Sequence, residues 1–210
     1  MTRINIAPVV EGHGDQESVR ILLTRIWVTI AGGEYANVLK PVRFPKTKLL
    51  KPEELVRAVD IAATKLRHLS NSDPQFVLVL FDADEDVPCV LAPKLMDVMR
   101  TTRSHLDVAI VVANVEYETW FVAAAESLAA FLKPNALKEI PADPESGRFG
   151  KGWVQRNALR YAEVIEQPRM TALMDLTLCR SRSASFDKLC RELEARVSPG
   201  AAAGSPAVRS

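Results

Sequence analysis

The sequence predicts an α/β protein: a mainly parallel sheet flanked by helices, with a helical C-terminal portion. Three observations carry this. Residues 76–81 form an apolar run of strand length, rich in Val and Phe, as expected of a strand covered on both faces; residues 107–115 read as another buried strand and residues 4–10 as a first strand. Segments with apolar residues at helical spacing alternate with them, which requires parallel strands joined by right-handed crossovers. The later third shows helical patterning and reads as helices packed on that sheet.

In order, the first strand, residues 4–10, contains Pro8, which suits a bulge or a partly edge-like position. It runs into Glu11-Gly12-His13-Gly14-Asp15. Asp15 is a natural N-cap for a helix over residues 16–30, with Val19, Leu22, Leu23, Ile26 and Ile30 as its core face. Gly32-Gly33 stops it. Residues 38–50 are strand-like but broken by Pro41 and Pro45. Pro52-Glu53-Glu54 opens a helix to residue 69, with proline in its first turn and acids facing the positive end of its dipole. Asn71-Ser72-Asp73-Pro74 is a loop. The next strand ends in alternating acids, Asp82, Asp84 and Asp86. Pro88 opens a third helix bearing Leu91, Leu95, Met96 and Met99.

The strand over residues 107–115 leads into Glu116-Tyr117-Glu118-Thr119-Trp120 and a helix over 121–131. Residues 134–152 show neither period and read as a long loop, of the kind that is usually functional or mobile. Helices follow over 153–165 and 170–178. A last one is capped by Ser185 and turns Phe186, Leu189, Cys190 and Leu193 inward. Residues 1–197 thus form one α/β domain with a helical C-terminal part. Residues 198–210, all but Val208 and Arg209 being Ala, Gly, Ser or Pro, read as a disordered tail.

The chain has 210 residues, 27 Lys+Arg against 26 Asp+Glu, so no global basic field points to nucleic acid and any such site must be a local patch. The one such patch is Lys40, Arg43, Lys46, Lys48 and Lys51. Phosphate tracking by Arg43, Lys46 and Lys48 and simple protection of an edge strand both account for it. Cys89, Cys179 and Cys190 are odd in number and lack CxxC spacing, which fits reduced thiols and neither a disulfide framework nor a zinc site. No signal peptide and no membrane-spanning run is recognisable, so a cytoplasmic location is expected.

Three strand ends carry carboxylates: Glu11 after the first, Asp82 and Asp84 after the central one, Glu116 and Glu118 after the last. Residues two apart on an extended backbone point the same way, so Asp82 and Asp84 are expected to converge. If the strands are parallel, all three ends share the edge where α/β sheets bind ligands. Carboxylates gathered there need protons or cations, and oxygen ligands suit Mg²⁺ or Mn²⁺. The plain alternative is a solvated acidic edge.

Glu11-Gly12 after one strand and Asp82-x-Asp84 after a later one are similar to the two signature motifs of the Toprim fold. Val10-Glu11-Gly12-His13-Gly14, Leu80-Phe81-Asp82-Ala83-Asp84, Glu116-Tyr117-Glu118-Thr119-Trp120-Phe121, Lys151-Gly152-Trp153 and Ser185-Phe186 together resemble the bacterial family labelled domain of unknown function 4276. The resemblance extends to about residue 197. It implies a Toprim-like fold related to nucleases of the OLD (overcoming lysogenisation defect) type, and a role in phage defence beside a partner ATPase. It also implies Mg²⁺- or Mn²⁺-dependent phosphodiester chemistry on nucleic acid, DNA ahead of RNA. On that resemblance Asp82 and Asp84 are the main metal ligands. Glu11 is a ligand or the general acid or base, and Glu116 and Glu118 are candidates for a second ion or for orienting its waters. The family usually has Glu where this chain has Asp15, a ligand in OLD-type sites. Asp is one methylene shorter, so Asp15 as a helix cap, with Glu17 or no residue in its place, is the alternative.

Lys151 is a candidate transition-state cation, though an exposed loop lysine is the plainer reading. His13 sits between glycines, where a solvated turn residue is expected, and Tyr117 is expected to pack rather than attack. Arg180 and Arg182 beside serines suggest either an anion site or plain capping. Besides a nuclease, two further readings fit: a non-catalytic partner protein of the same fold, and a small-molecule phosphatase using the DxD acids.

Overall fold

The apolar run around Phe76 and the largely apolar one around Ile6 lie side by side at the centre of the sheet, each covered on both faces, as their composition demands. The structure, a computed structural model, describes residues 3–69, 73–147 and 149–197. The expected tail, residues 198–210, and the loop residues Asn71 and Ser72 lie outside them.

The strands are β1 (Arg3–Val10), β2 (Tyr35–Val38), β3 (Val42–Arg43), β4 (Gln75–Asp82) and β5 (Val108–Ala113). They form a five-stranded sheet in the order β2-β1-β4-β5, with β3 also on β1, and every described pairing is parallel. β2 pairs with residues 3–6 of β1 and β3 with Val9 and Val10, so the two are pieces of one edge interrupted around Pro41. The break answers to Pro8. Ile6 and Val10 turn their carbonyls to that edge, bonding Leu39 and Phe44. Alternation therefore turns the donor-less nitrogen of Pro8 to the same side, at the gap between β2 and β3.

The helices are α1 (His13–Thr29), α2 (Lys46–Leu49), α3 (Pro52–Leu66), α4 (Pro88–Thr102), α5 (Glu118–Ala123), α6 (Lys151–Asn157), α7 (Glu163–Leu173), α8 (Leu176–Arg182) and α9 (Ala184–Glu194). One face of the sheet, with Val77, Val79, Ile110 and Val112, packs on Leu55, Val59 and Ala62 of α3 and Leu95 and Met99 of α4. The other, with Ile6, Leu78, Leu80 and Val111, packs on Leu22 and Ile26 of α1, on α5, and on Phe186 and Leu189 of α9.

The C-terminal boundaries differ from the sequence reading. The helix expected over 121–131 is α5 followed by a 3-10 segment, Ala125–Phe131. The one expected over 153–165 ends at Asn157. A separate α7, carrying an internal Pro168, spans the next expected break, and the piece expected over 170–178 is divided between α7 and α8. Ser183, not Ser185, caps α9, accepting the N–H of Phe186 at 3.0 Å. Ser185 instead accepts from Trp120 Nε1 at 2.9 Å and from the N–H of Asn114 at 3.2 Å, tying α9 to the end of β5. The expected loop over 134–152 contains a 3-10 turn, Ala136–Glu139, and ends in the first turn of α6. Among the described residues no helix is long and apolar enough to cross a membrane.

Candidate active site

Parallel pairing sets the carboxyl ends of β1, β4 and β5 on one edge, with Asp82 directly in register with Ala113. Beyond that edge opens a cavity of about 180 Å³. Glu11, Asp82, Glu116 and Glu118 line it from the strand ends, Asp15 from α1, and Lys151, Glu163 and Gln167 from α6 and α7. Six carboxylates thus face one lysine.

Glu11 accepts the backbone N–H of Lys46 at the start of α2, while burial, with Asp84 and Asp15 nearby, raises its pKa. Asp82 accepts the N–H of Tyr117 at 2.8 Å. Its carboxyl is pushed well above the usual range, first by burial and then by Asp15, Glu118 and Glu11. Glu116 accepts the N–H of Lys151 at 2.6 Å. A Cβ on Gly150 would come within 2.1 Å of Glu116 Oε2, so only glycine lets the chain pass this close. Glu118 is 4 % exposed and accepts from the Tyr161 hydroxyl at 2.8 Å. Burial lifts its carboxyl to about 7 even against that donor. Lys151, expected in a loop, is the first residue of α6. Its ammonium pairs with Glu163, which holds its pKa above the ordinary value.

Asp15 is not the N-cap. α1 begins at His13 with Gly12 as cap, and Asp15, in the first turn, reaches back to accept the Gly12 N–H at 2.8 Å. Its other oxygen accepts from Gln167 Nε2 at 2.9 Å, and burial raises its pKa against both donors. It caps and lines the cavity at once. Glu17, the substitute considered for it, is exposed and pairs with Arg20.

Asp84 does not line the cavity. β4 ends at Asp82, and Asp84 has a φ of 49°, a left-handed conformation that breaks the alternation on which convergence depended. Its N–H bonds the carbonyl of Val115, and its carboxylate pairs with Lys46 at 3.0 Å. Lys46 is accordingly not a free phosphate contact. It is 8 % exposed, also pairs with Asp86 at 3.0 Å, and donates to the carbonyl of Ala83. Burial opposes its charge, but the two carboxylates overcome this and raise its pKa. Arg43 and Lys48 remain exposed.

Tyr117 is 2 % exposed, its hydroxyl 3.0 Å from Thr171 Oγ1 and its ring against Trp120 and Phe121, so it packs. His13 is exposed. Arg180 pairs with Asp187 and Glu194, and Arg182 with Glu126, so their charge is met within the chain.

Sequence reasoning missed Tyr161, Glu163 and Gln167. Glu163 and Gln167 lie four apart, one turn of a helix, and that spacing was the available signal. A second was Gly14. A Cβ there would come within 2.2 Å of Gln167 Oε1 and 2.7 Å of Glu163 Cγ, so α7 docks where α1 has no side chain.

Among the described residues, no three Asp, Glu, His or Cys side chains close on one point tightly enough to hold an ion as they stand. Several are turned to N–H and O–H donors instead. The donor set nevertheless fits a hard divalent cation: it is all oxygen, and the buried Gln167 Oε1 has no hydrogen-bond partner. A second cavity, about 510 Å³, lies along the open edge of β5 between α4 and α9. Its lining is mostly apolar, including Val87, Pro88, Ala92, Ile110 and Val112, and it gathers no comparable set of reactive groups.

Neither the curated proteins nor the solved structures provide a match to the chain. A family model does, over residues 10–194, a span that runs from the end of β1 to the end of α9 and takes in every cavity residue named above. The chain therefore belongs to the family described as Domain of unknown function (DUF4276).

Proposed function

We propose that the acidic cavity binds Mg²⁺ or Mn²⁺ and that the protein hydrolyses phosphodiesters of nucleic acid, DNA ahead of RNA, in phage defence beside a partner ATPase. The observation that carries the chemical part is the gathering of carboxylates from three parallel strand ends, with one lysine, around a single cavity. The ATPase and the defence role rest on the resemblance to OLD-type Toprim proteins.

Glu11, Asp82 and Glu116 would hold the cation, with Asp15 beside them. A divalent ion bound there supplies positive charge against phosphoryl oxygens as negative charge develops on them. Tyr117 N–H holds Oδ1 of Asp82, and Lys151 N–H holds Oε2 of Glu116, so each acid would have its second oxygen to offer the cation. Glu118, with its carboxyl near 7, is poised to take a proton from water around neutral pH. The Lys151 ammonium, steered by Glu163, offers a cation to the phosphate.

A phosphatase of DxD type expects Asp82 and Asp84 at one point, and Asp84 faces Lys46 instead. The partner-protein reading has an observation in its favour: Val164, Ile165 and Leu173 of α7 are 65 %, 58 % and 62 % exposed. Cleavage assays on DNA and RNA decide between them, run with Mg²⁺, Mn²⁺ or chelator and with and without the partner ATPase. Divalent-dependent cleavage abolished by Asp82→Asn is expected. Cation binding without cleavage under any condition would leave the partner reading, and no cation binding would end both the metal and the nuclease readings.

A further inference from the structure

We propose that Gln167 of α7 is itself a ligand of the divalent cation, offering its amide carbonyl Oε1 beside Asp15; this rests on the cation reading of the cavity given above.

Gln167 lines the cavity and is 1 % exposed, yet its Oε1 has no hydrogen-bond partner. Buried carbonyl oxygens are rarely left so, because desolvation is then uncompensated. The amide cannot simply turn over. Nε2 donates to Asp15 Oδ1 at 2.9 Å, and the flipped amide would set oxygen against a carboxylate oxygen. The orientation that satisfies Asp15 is therefore the one that leaves Oε1 without a hydrogen-bond partner. The oxygen sits against α1 at Gly14, where a Cβ would lie 2.2 Å from it, so only glycine lets it occupy that position.

The chemistry suits a cation better than another donor. Mg²⁺ and related hard ions accept amide carbonyls among their oxygen ligands. A neutral ligand also adds no charge to a cavity that already gathers Glu11, Asp15, Asp82, Glu116, Glu118 and Glu163. Asp15 is tethered through Oδ2 to its own helix by the Gly12 N–H, which limits how far it can reach. The amide that grips its other oxygen extends the ligand set from the opposite helix.

The test is Mn²⁺ binding by the full-length, metal-free protein, measured by calorimetry and by the electron paramagnetic resonance of free Mn²⁺. Gln167→Met removes both amide functions, whereas Gln167→Glu keeps an oxygen and loses the donor to Asp15. Weakening by about tenfold or more in Gln167→Met, with Gln167→Glu at least as tight as wild type, is expected for a ligand. Wild-type affinity in Gln167→Met would overturn the proposal. Equal weakening in both variants would also overturn it, because the donor to Asp15 would then be what matters. Should Gln167→Met fail to fold, as judged by melting in chelator, weakened binding by Gln167→Glu alone overturns it and retained binding supports it. Absence of Mn²⁺ binding by wild type is a separate outcome: it removes the cation reading, and this inference with it.

Discussion

The Asp82 carboxylate accepts the backbone N–H of Tyr117 at 2.8 Å, so the acid ending β4 is bonded to the segment that carries the acids following β5. Asparagine at 82 can keep that bond through its own carbonyl while losing the charge. Asp82→Asn should therefore raise the melting temperature of metal-free protein at neutral pH, by about 3 °C or more, since a carboxyl whose ionisation is opposed by burial and neighbouring acids is replaced by a neutral amide. If the cavity takes a cation, Mg²⁺ or Mn²⁺ should raise the melting temperature of the wild type, and the same change should abolish that rise. Thermal melts in chelator and in divalent salt measure both.

Glu118 sets a pH dependence. Its carboxyl goes from an ordinary 4.5 to about 7 in the fold, so the native state holds a proton that the unfolded chain has released. Its contribution is complete below about 4.5 and is lost as pH rises through about 7. Each tenfold gain in proton affinity is worth about 1.4 kcal/mol, so up to about 3 kcal/mol is at stake. Urea melts in chelator from pH 4.5 to 8 should show stability falling, and Glu118→Gln should flatten the slope. Tyr161→Phe, which removes a donor to the charged form, should move the fall to higher pH.

The basic residues separate by what they touch. Lys46→Met leaves Asp84, Asp86 and the Ala83 carbonyl without their cation and should cost about 1–3 kcal/mol. Arg43→Glu and Lys48→Glu, at exposed positions, should change stability by no more than about 0.5 kcal/mol. If both touch phosphate, each should weaken nucleic-acid binding and lower the salt slope by about 1. Binding unchanged across a salt series assigns them to edge protection.

Gly14→Ala pits propensity against packing. Alanine in a helix gains up to about 1 kcal/mol over glycine. Here its Cβ would meet Gln167 Oε1 at 2.2 Å and Glu163 Cγ at 2.7 Å, and overpacking of that kind costs about 1–3 kcal/mol. Net destabilisation is expected. A more stable Gly14→Ala protein would mean that α7 gives way without cost.

The sheet and the acids at its edge were legible because both are written locally. An apolar run says strand, the residue after it says strand end, and parallel connection puts the ends together. What failed was what local pattern does not hold. Asp84 was placed by alternation, which its left-handed backbone breaks. Lys46 was read as an edge cation because nothing near it in sequence announces Asp84 and Asp86, 38 and 40 positions on. Gln167 is 152 residues from the Asp15 it bonds, and an expected helix end at residue 165 had parted it from Glu163. Helical spacing reveals a buried face but not which distant helix covers it.

The order in which the cavity's walls are encoded bears on how the protein is made. A chain emerging from the ribosome exposes Glu11, Asp15, Asp82, Glu116 and Glu118 before Lys151, Glu163 and Gln167 have been translated. The strands can pair at that stage, yet the assembling edge carries carboxylates alone, without the ammonium of α6 or the amide of α7. A nascent or truncated chain thus lacks the α6 and α7 walls of the cavity, and the cluster of carboxylates closes only when α7 docks on Gly14.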